Sequence, residues 1–157
     1  MRRKFVIDYE QSVRDFQLKY KHFLAKEPSL NIPLAVKELR ESLIVEEYKE
    51  FLTALHENDI IEVADGVCDL IYVLVGFLIT HGMPANRLFA EVHHSNMTKT
   101  VPKNLELGEK YGTKTPKGPD FLPPDMRGIL IRPERETLLE SYVRLKLGPF
   151  SPTDQGT

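Results

Sequence analysis

Two groups of acidic side chains in this sequence have a spacing suited to chemistry. The first is Glu46-Glu47-Tyr48-Lys49-Glu50, where Glu47 and Glu50 are one helical turn apart and Glu46 and Glu50 are also neighbours on a helix surface. The second is Asp65 and Asp69 within Val63-Ala64-Asp65-Gly66-Val67-Cys68-Asp69-Leu70-Ile71-Tyr72-Val73, so that two carboxylates share one face of an otherwise apolar helix. An acidic cluster alone reads as a solvated face. The second group differs, because an ionised carboxylate taken out of water needs a compensating cation or hydrogen bonds. Between Arg40 and Arg87 the sole lysine or arginine is Lys49, so the simplest partner is a metal ion. An oxygen-only set of Glu46, Glu47, Glu50, Asp65 and Asp69 suits a hard cation, Mg²⁺ or Mn²⁺, and lacks the thiolates and imidazoles that zinc prefers. Carboxylates that hold Mg²⁺ against substrate phosphate oxygens are the recurrent solution for phosphate-ester and anhydride chemistry.

These residues need rigid helices to hold them. Val13, Phe16, Tyr20, Phe23 and Leu24 recur at helical spacing and predict a first helix over 9–24. Pro33 suits a first helical position, and Leu34, Leu39, Leu43, Tyr48, Phe51, Leu52 and Leu55 carry a second helix to about residue 56. A third, over 60–81, is apolar nearly all round and is expected to be central and buried, with Gly82 as its left-handed cap and His81 in its last turn. Pro84 opens a fourth helix to 97, with Leu88, Phe89 and Val92 on its buried side. Residues 98–132 interleave proline and glycine and read as extended loop; a last helix is expected over 133–147. The expected class is therefore all-α, with a four-helix-bundle-like core, a Pro/Gly-rich extended segment and a C-terminal helix.

At 157 residues the chain is expected to form one domain over 1–150, with a disordered tail over 151–157. Apolar residues make up 41% and charged residues 28%, a balance that folds and does not read as disordered. A net charge of −2 offers no basic field for nucleic acid polymers. The longest apolar run, 70–80, is half of the ~20 residues that a bilayer span needs, so no membrane association is expected. Met1-Arg2-Arg3-Lys4 is followed by Asp8, Glu10, Arg14 and Asp15 and not by an apolar run, so the expected location is the cytoplasm. Cys68 is the single cysteine and is expected in the core.

At these residues the chain resembles the all-alpha nucleoside triphosphate pyrophosphohydrolases, which include MazG-like proteins, dimeric dUTPases and phosphoribosyl-ATP pyrophosphohydrolase. The family pattern is Glu-Glu-x-x-Glu on one helix and an acidic pair ending in Asp on the next. Here Glu46-Glu47-x-x-Glu50 matches the first part, and Asp69-Leu70-Ile71-Tyr72-Val73 is similar to the close of the second. The similarity extends to Glu91-Val92-His93-His94-Ser95-Asn96-Met97-Thr98-Lys99 and to Lys117-Gly118-Pro119-Asp120-Phe121-Leu122-Pro123-Pro124-Asp125, and spans residues 15–131. One departure is visible. The family's second half usually reads Glu-x-x-Asp, but three residues before Asp69 stands Gly66, while Glu62-Val63-Ala64-Asp65 satisfies the spacing one turn earlier. Asp59-x-x-Glu62 also has the form of a capping box, which would employ Glu62 at the helix start.

The resemblance implies a Mg²⁺-dependent enzyme that hydrolyses a nucleoside triphosphate to the monophosphate and pyrophosphate, and a homodimer or higher homo-oligomer. Glu47, Glu50, Asp65 and Asp69 are the expected metal ligands, with Glu62 as a further candidate, and Glu46 is the expected base or ligand of a second metal. Asn96, Lys99 and Ser95 are suited to a phosphate chain, and Lys114 and Lys117 could fold over it. Tyr72 is allowed to line the nucleotide site, and Phe16, Gln17 and Tyr20 to contribute to a base pocket. Two rival readings remain. A di-iron carboxylate bundle would use Glu91-x-x-His94 but needs two such elements, and the sequence has one. A helical interaction module would leave the acidic face merely solvated.

Overall fold

A computed structural model describes residues 7–100 and 115–131. The protein is all-helical: α1 (Tyr9–Lys19), α2 (Leu34–Glu57), α3 (Ile60–Thr80), α4 (Ala85–Met97) and α5 (Met126–Ile131) follow in chain order, with no strand among the described residues. The chain divides into two compact units, Met1–Asn86 and Arg87–Thr157.

In the first unit α2 packs along α3, and α1 packs on α3 as well, giving a bundle-like core. Local signals set the ends of these helices. The Asp8 carboxylate accepts the Gln11 amide at 3.0 Å and starts α1. The helix stops at Lys19, short of the expected residue 24, because Lys21 takes a left-handed φ of 57°. The amide of Lys21 then donates to the Leu18 carbonyl at 3.1 Å and that of His22 to Gln17 at 2.9 Å, the paired bonds of a Schellman turn. This turn sends His22 back along the helix it has just left. Left-handed Asn58 ends α2, and the Asp59 carboxylate accepts the amides of Ile61 (3.0 Å) and Glu62 (3.2 Å) to start α3. The capping box is only half made: the Asp59 amide donates to the Ala54 carbonyl at 3.1 Å, which leaves the Glu62 carboxylate out of the cap. Gly82 closes α3 with a φ of 71°, as its sequence position predicts.

The third helix departs from expectation in its surroundings. It is not buried all round: Ile60 and Ile61 are 77% and 74% exposed, and Val67, Ile71 and Leu74 are exposed too. Two neighbours cover only part of a helix's circumference, and α1 and α2 are the helices packed on α3. Cys68, expected in the core, is exposed for the same reason. At 21 residues α3 is the one helix among the described residues long and apolar enough, by length and composition, to cross a bilayer.

In the second unit Leu88, Glu91 and Ser95 form the buried stripe of α4, and Ile129 of α5 is buried too. Phe89 and Val92, expected inside, are exposed; the buried stripe runs through Leu88, Glu91 and Ser95 at the three-and-four spacing of the neighbouring face. The expected extended stretch contains α5, capped by Asp125, whose carboxylate accepts the Gly128 amide at 2.8 Å. The expected helix over 133–147 and the tail over 151–157 lie outside the described residues.

Candidate active site

Glu62, Asp65, Gly66 and Asp69 fall three and four residues apart along α3, which places them on one face. That face looks toward α2. With Lys49, Glu50, Thr53, Ala54 and Glu57 these four residues line a cleft of about 340 Å³. The two registers that compete in the sequence are therefore on one wall of one cleft. Gly66 explains why the family's glutamate is missing at its position. It is buried, and a Cβ there would lie 3.1 Å from the Phe51 Cα and 3.4 Å from its backbone nitrogen. The backbones of α2 and α3 thus approach closely at Gly66, and a larger side chain there would require the two helices to give by a few tenths of an ångström. Acidic groups flank this contact point at Glu62, Asp65 and Asp69.

The carboxylates across this seam repel one another. Partial burial, then the charges of Asp69, Glu50, Glu46 and Asp65, push the Glu47 carboxyl above its ordinary value of 4.5. Arg14 pairs with Glu10 at 3.0 Å, far along the chain from the acidic groups. A raised acid pKa means that the folded state holds its proton more tightly than the unfolded chain, so stability falls as pH rises through the window above 4.5. In metal-free buffer Glu47→Gln is accordingly expected to melt higher than the parent at neutral pH, with the gap closing as pH falls toward 4.5. Melts of both proteins across pH with EDTA measure this; a gap that is constant or widens on acidification would refute the electrostatic account.

A hard cation suits this seam in kind, since every donor is a carboxylate oxygen. Among the described residues no three His, Cys, Asp or Glu side chains stand at the spacing of a closed metal cage. Mg²⁺ does not require one, because it is usually held by one or two carboxylates plus waters and substrate phosphates. Glu46 is exposed beside Glu47 and lines no cavity described here.

A second cavity, of about 400 Å³, adjoins the first through Asp69, which lines both. Glu47 also lines it, and its other walls include Phe16, His22, Arg40 and Tyr72. The Phe16 ring meets Tyr72 edge-on at 5.6 Å and His22 at 5.7 Å, so the pocket has an aromatic wall. Partial burial and the nearby Tyr20 push the Tyr72 phenol above its ordinary value. Of the residues expected around a base, Phe16 and Tyr72 line this space and the Tyr20 ring lies tilted against Phe16, 4.6 Å between centres. Gln17 lines it too, but its amide is engaged: it donates to the Gly76 carbonyl at 3.0 Å and faces the Thr80 hydroxyl at 3.5 Å. Sequence reasoning missed Arg40 and His22. Arg40 stands seven residues before Glu47, two turns along one helix face, and that spacing was the available signal.

Asn96, Lys99 and Lys117 belong to the second unit. Asn96 is exposed, Lys99 is half-buried, and the Lys117 ammonium lies 4.7 Å above the Phe121 ring. Ser95 is corrected by the structure: it is buried, and its hydroxyl donates to the Leu122 carbonyl at 2.7 Å, so it is not a free phosphate donor. Glu91 is likewise engaged, accepting the Asp125 amide at 2.9 Å through one carboxylate oxygen. Lys114 lies outside the described residues. Residues 13–96 fit the family model of phosphoribosyl-ATP pyrophosphohydrolase. No curated protein matches the chain.

Proposed function

Because the chain belongs to the phosphoribosyl-ATP pyrophosphohydrolase family, and so to the all-alpha nucleotide pyrophosphohydrolases, we propose that it is a Mg²⁺-dependent hydrolase cleaving a nucleoside triphosphate to the monophosphate and pyrophosphate. The observation that carries this reading is the acidic seam between α2 and α3, unneutralised by any ion pair among the described residues and opening through Asp69 onto an aromatic cavity. Glu47, Glu50, Asp65 and Asp69 would hold the cation, with Glu62 on the same wall as Asp65 and Asp69. When bound, Mg²⁺ neutralises phosphate charge and lowers the pKa of a coordinated water.

The protein's own groups do the rest. Glu46 accepts the proton of the attacking water, whose oxygen joins phosphorus as one phosphoanhydride bond breaks and pyrophosphate leaves. Phe16 and Tyr72 hold the base in the adjoining cavity, a placement that fixes the phosphates over the carboxylates. The exposed apolar residues of α3, Ile60, Ile61, Val67, Ile71 and Leu74, support pairing with a second copy. Sedimentation at micromolar concentration should then find dimers or larger oligomers; a monomer would remove that part of the proposal. A water-soluble enzyme working on cytoplasmic nucleotides is the setting that this chemistry fits.

The deciding experiment is pyrophosphate release from a panel of nucleoside triphosphates with Mg²⁺ and with EDTA. Turnover of at least one nucleotide that EDTA abolishes is expected. No release from any nucleotide would leave the helical interaction module as the better reading.

A further inference from the structure

The acidic seam stands between two spaces that offer a ligand different things. Glu47 lines the aromatic cavity and Glu50 the cleft, while Asp69 lines both. Rings wall the aromatic cavity. Among the described residues no ring lines the cleft, whose walls carry five carboxylates: Glu50, Glu57, Glu62, Asp65 and Asp69. A single basic side chain, Lys49, stands among them.

The donors of the cleft decide what an anion could hold on to. An ionised carboxylate only accepts hydrogen bonds. Thr53 turns its hydroxyl back along α2 to donate to the Lys49 carbonyl at 3.0 Å, and Ala54 and Gly66 have no polar side chain. Lys49 is therefore the side-chain donor that the described lining offers an anion. It is exposed, and among the described residues its ammonium pairs with none of the five carboxylates. An exposed ion pair gains little against the freedom that a lysine side chain loses in forming it, so the ammonium stays available to a ligand.

Resting on the nucleotide reading above, we infer that Lys49 binds the outer two phosphates of the substrate, the half that departs as pyrophosphate. The order of groups along the seam gives the substrate this direction: with a base against Phe16 and Tyr72, the phosphate chain passes Glu47 and Asp69 and its outer end enters the cleft. A polyanion entering there is repelled by the carboxylates on its walls. A bound cation offsets those that hold it, and Lys49 offsets the repulsion of the others, Glu57 among them. An ammonium is a compact charge with three donors on a flexible stem, which suits an anion whose oxygens are spread over two phosphorus atoms. Lys49 contributes charge and hydrogen bonds, and exchanges no proton with the substrate.

The test uses the full chain and three probes in calorimetry: Mg²⁺ alone, inorganic pyrophosphate with Mg²⁺, and a nucleoside monophosphate with Mg²⁺. The monophosphate is that of the nucleotide hydrolysed best, or AMP if none is hydrolysed. Lys49→Met is expected to weaken pyrophosphate by about tenfold or more and the monophosphate by less than about threefold. The same variant should bind Mg²⁺ alone as tightly as the parent or more tightly, because a charge that repels the cation has gone. Lys49→Arg keeps the charge and should retain most of the pyrophosphate affinity, which also guards against a methionine variant that fails to fold. A parent protein that binds no pyrophosphate would overturn the inference. So would a folded Lys49→Met variant with unchanged pyrophosphate binding, with equal losses for pyrophosphate and monophosphate, or with weakened Mg²⁺ binding. A loss confined to pyrophosphate, in a protein that turns over no nucleotide, would sustain the inference while removing the hydrolase reading. Turnover with pyrophosphate binding unmoved by Lys49→Met would do the reverse.

Discussion

Asp69→Asn is expected to lower kcat/KM by at least about a hundredfold while leaving the helical content intact. Asparagine is nearly isosteric, and Asp69 is exposed on α3, so packing is unaffected. What changes is charge at the one carboxylate that lines both the acidic cleft and the aromatic cavity. Mutating even the outer partners of a metal ligand commonly costs ten- to a hundredfold, so losing a ligand at the junction of two subsites should cost more. Glu62→Gln is the companion variant. Glu62 is two turns further from the aromatic cavity, and with the Asp59 amide bonded to Ala54 its carboxylate has no capping task to lose. It should therefore keep a measurable share of activity with a nearly unchanged melt. Kinetics and circular dichroism on both variants decide the matter: an active Asp69→Asn beside an inactive Glu62→Gln with native melts would assign the site to the earlier register.

The second large effect is expected from Gly66→Val, which adds no charge and removes none. A Cβ at this position already lies 3.1 Å from the Phe51 Cα, and the two further methyl groups of valine must go into the same seam. The obstacle is helix backbone, so relief requires that α2 and α3 move apart. Overpacking of this type costs about 1–3 kcal/mol. Widening the seam also separates Glu47 and Glu50 from Asp65 and Asp69, so activity should fall more steeply than stability predicts. Thermal melts with a parallel pyrophosphate-release assay test this. A valine variant with native melting and native kcat/KM would show that the close approach of the helices is not what brings the carboxylates together.

Much of this molecule was determined by the order of its residues, because the forces involved act over one or two helical turns. Asp59, Asn58 and Gly82 mark the helix ends through local hydrogen bonds and left-handed dihedrals, and α2 and α3 run within a residue or so of the expected bounds. The common face of Glu62, Asp65 and Asp69 follows from helical periodicity alone. The family was legible in the same way, since its two acidic motifs lie within the matched residues 13–96.

Tertiary structure decided what depends on groups distant in sequence. Whether Glu62 or Asp69 belonged with Glu50 could not be chosen from spacing; the approach of Gly66 to Phe51 turns the face that carries both toward α2 and Glu50. The exposure of Cys68, Ile60 and Ile61 reflects how many neighbours α3 has, which hydrophobicity does not encode. Ser95 and Glu91 look available in sequence, but partners 27 and 34 residues away engage them. Arg40 read as one charge among many until the turn at Lys21 brought His22 to it, 18 residues away along the chain. A side chain's type is local information, whereas its desolvation is set by whatever the rest of the chain packs around it.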